Sequence, residues 1–416
     1  MAEVTWRAAL APLRSRNFTW YYASRFVNTL GSMMANIALT FAVLDITGSA
    51  SALGAVLAAH TVPMVLLLLY GGVISDRLPR TLVLQASNVA SAVTQGLIAL
   101  LVVTGTAELW MLVALSVVHG AVSAISFPAM ASVMAQLVPR DQLQPANALM
   151  SLSRNSLTVL GPTIGALFVV TVGSGWALAI DAATWAAAAV LLLPVRIPPR
   201  EPSGQPSDTL RELREGWDFF RSTTWLWVVV VSFGLLNALL AGAWETLGPV
   251  VAQDTIGRQD WGFVLSAQAA GLLAMSVVML RVPLRRPLFV GMSAIVLLGL
   301  PMLALGLHPH TPTLVVTSFL AGAGIEVFSM GWNLAMMENV EEPMLSRAYS
   351  YDALGSFVAM PVGQLTAGPV GAAFGFSEVL VASGVLFVVI VLVTLLSRSV
   401  RDLPRRVEPA PEATAH

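Results

Sequence analysis

Apolar runs in series, about twelve of them and each near the roughly 20 residues a helix needs to cross a bilayer, constrain this chain more than any other feature. Lipid offers no partner to backbone amides, so an apolar run of this length spans as a helix that pairs its own N–H and C=O groups. The runs fall near 19–43, 51–74, 81–103, 109–136, 146–171 and 176–194, then near 224–249, 262–281, 287–307, 312–337, 347–372 and 377–397. Trp20, Trp110, Trp176, Trp225, Trp227 and Trp261 stand close to their ends, where indole rings favour the headgroup zone. Charged residues make up 11% of the chain, against about a quarter in soluble domains, so a water-soluble fold is excluded. The fold class read from this pattern is an all-α membrane protein of 12 transmembrane helices.

All 22 basic residues are arginines. When the gaps between runs are numbered alternately, nineteen arginines share one side, Arg258 stands alone on the other, and Arg25 and Arg154 fall inside runs. Positive loops stay in the cytoplasm, so both termini are expected there. Arginine-only basicity with abundant alanine suggests a bacterial genome rich in G and C, which makes the expected location the bacterial cytoplasmic (inner) membrane. Cysteine is absent, which excludes disulfides, thiolate metal sites and cysteine nucleophiles. No metal, cofactor or nucleic acid partner is expected: the chain has no lysine for a phosphate-binding loop, and its net charge of -1 gives no nucleic-acid footprint. An enzyme would need a clustered catalytic constellation, whereas the titratable residues here scatter over both halves.

The division into halves is itself readable. Residues 1–195 form an expected N-terminal six-helix bundle, 196–223 a cytoplasmic linker, 224–400 a C-terminal six-helix bundle and 401–416 a disordered cytoplasmic tail. In the linker, Pro198, Pro199, Pro202, Gly204 and Pro206 break the pattern, and Leu210, Leu213, Trp217 and Phe220 then recur at helical spacing, which predicts a short amphipathic helix on the membrane surface. A shift of 202 residues lays Leu143 on Leu345, Ala146 on Ala348 and Gly161 on Gly363, so the two bundles are expected to be pseudo-symmetric.

The loop after the second run reads Gly72-Val73-Ile74-Ser75-Asp76-Arg77-Leu78-Pro79-Arg80. It resembles the signature loop of the major facilitator superfamily, Gly-x-x-x-Asp-Arg-x-Gly-Arg-Arg, through Gly72, Asp76, Arg77 and Arg80; Pro79 and Thr81 depart from it. Phe127-Pro128-Ala129, Leu137-Val138-Pro139-Arg140-Asp141, Ala146-Asn147-Ala148-Leu149, Asp352-Ala353-Leu354-Gly355-Ser356 and Pro361-Val362-Gly363 are similar to the branch holding the enterobactin exporter and the macrolide efflux pumps. In the fifth run, Gly161, Pro162 and Gly165 resemble the glycine-proline motif of antiporters. The resemblance implies two six-helix bundles in the major facilitator fold, a monomer, and a gate that includes Asp76. Ser116 stands where the family's arginine precedes Gly120 by four residues, which puts a relay through that arginine in doubt.

Charges inside the runs point to the mechanism. Arg25, Arg154, Asp181, Glu245 and Glu326 each cost roughly 2.5–3.5 kcal/mol at a bilayer centre, so they are expected to face a cavity or each other. A carboxyl group that alternately meets and leaves an arginine binds and releases a proton. Glu326 and Glu245 are the expected substrate or proton sites, with Asp181 next and Arg25 and Arg154 as counter-ions. Asp181 could equally be a structural hydrogen-bonding group near the outer surface. Asn237, Asn333 and Trp332 could line the cavity, and His60 and His119, each read alone, fit satisfied hydrogen-bonding groups better than ligands. The expected function is secondary active transport: proton-coupled export of an amphipathic small molecule such as a siderophore, drug or macrolide, by alternating access. Proton-coupled uptake is the alternative within transport, and a non-transporting receptor or scaffold the alternative outside it.

Overall fold

The computed structural model describes residues 10–77, 79–139, 142–196, 209–279, 282 and 284–403. Described residues are helical or lie in the turns between helices, with no strand among them. In the first half run α1 (Arg16–Thr47), α2 (Ala50–Arg77), α3 (Arg80–Thr104), α4 (Leu109–Leu137), α5 (Leu143–Val172) and α6 (Ser174–Leu192). After α7 (Thr209–Ser222) come α8 (Thr224–Thr255), α9 (Arg258–Met279), α10 (Pro287–Leu307), α11 (Thr311–Asn339), α12 (Glu342–Phe357), α13 (Met360–Phe374) and α14 (Phe376–Leu396). Twelve spans are long and apolar enough to cross a membrane; α12 and α13 share the eleventh, over Ala348–Phe374. Their positions agree with the apolar runs to within a few residues, except that α8 continues past Pro249 to Thr255. Residues 197–208 of the expected linker and 404–416 of the expected tail lie outside the described residues.

α1 starts and α14 ends on one face, here the terminal face. Among the described residues the glycines with positive φ, Gly48, Gly105, Gly173, Gly257 and Gly375, all lie in turns on the opposite face. Only a residue without Cβ takes that conformation freely, so these turns stay tight while arginine-bearing connections gather on the terminal face. α7 falls where the linker helix is expected. Its Trp217 and Phe220 rings meet Tyr351 of α12 with centroids 5.8 and 5.7 Å away, which fastens α7 to the second half.

Lipid tails are as apolar as leucine, so helices in a bilayer associate through close packing, and small residues permit it. Within the first half α2 packs on α4, and α6 on α1 and α3. Within the second half α11 packs on α9 and α10, and α8 on α13. The two halves touch along α5 with α9 and along α2 with α13. The expected repeat is visible in these contacts: a Cβ at Gly161 would fall on Met33 of α1, and one at its counterpart Gly363 would fall on the Ala238 carbonyl of α8. Gly165 lies against Met34, and the Pro162 carbonyl and Ala166 receive Gly262 of α9, so the glycine-proline segment serves both α1 and the other half.

Contacts between the halves concentrate near the opposite face. Gly54, four residues into α2, lies on the Gln364 carbonyl of α13, and Gly368 lies on Ser51. Thr163 and Ser266 join hydroxyls at 2.7 Å. Arg258, the one arginine on that side, makes a two-pronged ion pair with Asp45 at the end of α1, one prong at 3.0 Å. Gln253 accepts from it at 2.8 Å, and its guanidinium lies 4.8 Å over the Phe41 ring. An exception to the arginine asymmetry is thus a latch between halves. Both side chains are partly exposed, so Arg258→Gln is expected to remove about 1 kcal/mol of this closure, roughly a fivefold population shift. Inter-half distance measurements across the opposite face check it, and the shift should shrink at high salt.

Candidate functional site

Five polar side chains stand nine or ten residues from the opposite-face ends of their helices. His60 is ten residues into α2, His119 ten into α4, Gln95 nine before the end of α3, Glu245 ten before the end of α8 and Gln364 ten before the end of α13. At 1.5 Å per residue each stands about 15 Å from the opposite-face end of its own helix, about half the thickness of a bilayer core. All five line one cavity of about 360 Å³ between the halves, with Asn36, Thr40, Phe41, Trp244 and Trp261 in its wall. Its mixed lining, apolar with a few convergent polar groups, suits an amphipathic small molecule.

Local sequence puts Glu245 there. Pro249 has no N–H to give the helix and its ring crowds the carbonyl four residues earlier, which belongs to Glu245. The chain responds with a π-helical segment, Leu240–Leu247, in which the Thr246 hydroxyl donates to the Ala241 carbonyl at 2.8 Å. Such segments widen the helix by one residue per turn and favour functional sites. By surface area Glu245 is exposed, yet protein surrounds it on nearly every side, so the surface it exposes faces the cavity. Among the described residues its carboxylate makes no hydrogen bond or ion pair.

On the other wall, a Cβ at Gly120 would fall on the His60 carbonyl, so the glycine lets α4 lie directly on α2. That approach brings the His60 and His119 rings to 5.5 Å between centroids. His119 Nδ1 is 3.3 Å from the Thr94 hydroxyl, and its ring meets Trp185 edge-on at 5.9 Å. Behind them Asp181, 0% exposed, sits against Gly31 of α1, with Trp185 and Gln95 facing it. Neither carboxylate oxygen reaches hydrogen-bond geometry, nor do Trp185 Nε1, Gln95 Oε1 or Ser116 Oγ. Buried polar groups are nearly always paired, so a fully buried carboxyl with only Trp185 and Gln95 beside it, neither at full hydrogen-bond geometry, marks a candidate functional group. A chain of side chains therefore runs from the cavity through His60, His119 and Trp185 to Asp181, with Gln95 facing Asp181 as well. Sequence reasoning treated the histidines singly, because nothing in the order of residues tells that 60 and 119 meet.

The other expected residues stand elsewhere. Glu326 is mid-span on α11, faces Ser276 of α9 and lines neither described cavity. Arg25 and Arg154 border a second cavity near the terminal face and pair with none of the acids. Arg25 is 22 residues from the opposite-face end of α1, so it stands about 18 Å deeper than Glu245, too far for a counter-ion in this state. Asn237 donates to the Ser356 carbonyl at 3.0 Å, and Asn333 accepts from the Tyr349 hydroxyl at 3.1 Å. Trp332 donates to Asp352 at 2.9 Å and stacks on Phe328. Asp352 is a membrane carboxylate that sequence reasoning passed over, because it counted as part of a motif rather than as a charge within a span. Gly72, Asp76 and Arg77 end α2 and Arg80 starts α3; their side chains lie outside the described ones.

Residues 7–409 match the family described as transmembrane secretion effector, a major facilitator family. The chain belongs to it. It is a multi-pass membrane transporter, and its relatives include efflux proteins. The major facilitator YvqJ of Bacillus subtilis is 23% identical over 93% of this chain and 94% of its own length. Macrolide efflux protein A of Streptococcus pyogenes is 21% identical over 93% and 97%. The enterobactin exporter EntS of Shigella boydii is 25% identical over 65% of both chains. In fold, the chain superposes on the nucleoside transporter NupG, as its D323A mutant, with a TM-score of 0.76 at 12% identity, covering 91% of this chain and 99% of that one.

Proposed function

We propose that this transporter is a proton-coupled exporter that takes an amphipathic organic molecule from the cytoplasm and releases it across the bacterial inner membrane. The observation that carries the reading is the midplane cavity, closed toward the opposite face by the Asp45–Arg258 latch and the Gly54, Gly262 and Gly368 contacts. With the arginine-rich terminal face in the cytoplasm, this closure makes the described state the one that loads from inside. Rocking of one bundle against the other would part α2 from α13 and α5 from α9, and expose the same cavity outside.

Glu245 and the His60–His119–Asp181 chain are the proton-handling groups in this reading. Glu245 lines the cavity from one half and His60 and His119 from the other, so cargo seated between them feels both. One charge crossing 100 mV supplies about 2.3 kcal/mol, enough for roughly fiftyfold accumulation. Efflux and siderophore-export relatives favour a bulky, partly apolar cargo. The protein acts as a monomer in this account, with Asp76 in the cytoplasmic gate.

Purified protein in liposomes with a pH dye inside tests the proposal. Imposed pH gradients and a panel of macrolides, catechol siderophores and hydrophobic cations are expected to show cargo-dependent proton movement opposite to the cargo. Movement of both in the same direction would instead make it an uptake symporter. Proton silence with every compound would leave the scaffold reading.

A further inference from the structure

The second cavity, about 300 Å³, lies wholly in the first half, between α1, α4 and α5. Arg25 is nine residues into α1 and Arg154 eleven into α5, so both guanidinium-bearing residues stand about 14–17 Å from the terminal face. Neither forms an ion pair with a described residue. Among the described residues the Arg25 guanidinium donates to Asn28 Oδ1 at 3.4 Å and faces Tyr21, and the Arg154 guanidinium makes no hydrogen bond. Tyr21, Tyr22 and Phe26 supply aromatic surface beside them, and Tyr22 is tied to Ser153 by a hydroxyl–hydroxyl hydrogen bond that bridges α1 and α5.

Two arginines line this one cavity, and no carboxylate among the described residues pairs with either. Arginine is the side chain whose planar fork matches a carboxylate or phenolate in two-point contact. An anion between the two would supply the charge partner that both lack, and ring surface against Tyr21, Tyr22 and Phe26 would hold an attached apolar body. We propose that this pocket is an anion subsite that holds the carboxylate or phenolate of an aromatic organic anion between Arg25 and Arg154. It is a loading site on the terminal-face side of the midplane cavity. The proposal deepens the export reading and rests on it for the direction in which the anion moves, but binding itself needs no gradient.

The probe is 4-(trifluoromethyl)benzoate, followed by ¹⁹F relaxation with the full chain in lipid-free detergent, and its neutral amide is the control. Benzoate is expected to bind and the amide not. Arg154→Gln, whose side chain is exposed and whose loss spares the packing, is expected to weaken benzoate at least tenfold, as is Arg25→Gln. Arg25→Lys, which keeps charge but not the fork, should fall between. Unchanged benzoate affinity in Arg154→Gln, or equal binding of amide and benzoate, overturns the proposal. A repeat in nanodiscs with and without phosphatidylglycerol decides the source of the anion: displacement of benzoate by that lipid would make the pocket a headgroup seat and overturn it too. Benzoate binding that obeys these expectations in a protein without cargo-driven proton flux would sink the export reading and leave the subsite standing.

Discussion

Glu245→Gln is expected to abolish proton-driven accumulation while leaving the protein folded and inserted. The carboxylate points into the cavity and makes no hydrogen bond or ion pair, so exchange of one oxygen for an amide nitrogen removes no packing and breaks no bond. An amide cannot take up a proton in the pH range where cells live, so the cargo gradient of roughly fiftyfold per 100 mV falls to equilibration alone. Counterflow, which exchanges labelled for unlabelled cargo without a net driving force, should survive. Parallel transport and counterflow assays check this: loss of both would place Glu245 in cargo binding, and retention of both would remove it from coupling. Glu326→Gln, off the cavity beside Ser276, is expected to change accumulation by no more than a few-fold.

The other large effect is conformational. Gly54 lies directly on the Gln364 carbonyl, and the obstacle to a side chain is backbone, which cannot rotate away. Gly54→Val should therefore wedge α2 from α13 at the opposite face. Overpacking of this kind costs about 2 kcal/mol, or roughly thirtyfold in population, and it acts only on the state closed at that face. Export should slow, and cargo added from the opposite face should bind better than in the parent protein. Gly96→Ala is the control, because its Cβ would meet only Ala182 at 3.8 Å and strain nothing. Equal conformer populations in the two variants would contradict the assigned closure.

The fold was largely legible in the order of residues, because span length, end tryptophans and arginine sidedness are one-dimensional signals. The helix α7 and the 202-residue repeat were legible for the same reason. The site was legible only in part. Glu245 and Asp181 stand out as charges in apolar runs, but which of three acids meets the cavity depends on how each helix is rotated, and an apolar helix carries no stripe to fix that rotation. Glu326, first choice with Glu245 on position alone, turns toward α9. The histidine pair depends on Gly120 of one helix finding the His60 carbonyl of another, a contact that spacing along the chain does not encode. Arg258 was visible as an exception to the arginine pattern, and its meaning came only with Asp45 across the seam.

The central claim is that one midplane cavity is closed by contacts at the opposite face that must part for cargo to leave. The chain contains no cysteine, so two spin labels can be placed without background. Ile46→Cys at the end of α1 and Asp254→Cys near the end of α8 put one exposed label on each half beside the Asp45–Arg258 latch. Electron–electron distance measurement in liposomes should give a short population that yields to a longer one when cargo and a pH gradient are applied, and that is mostly long in Gly54→Val. A single distance unmoved by cargo, pH or that substitution would contradict the account.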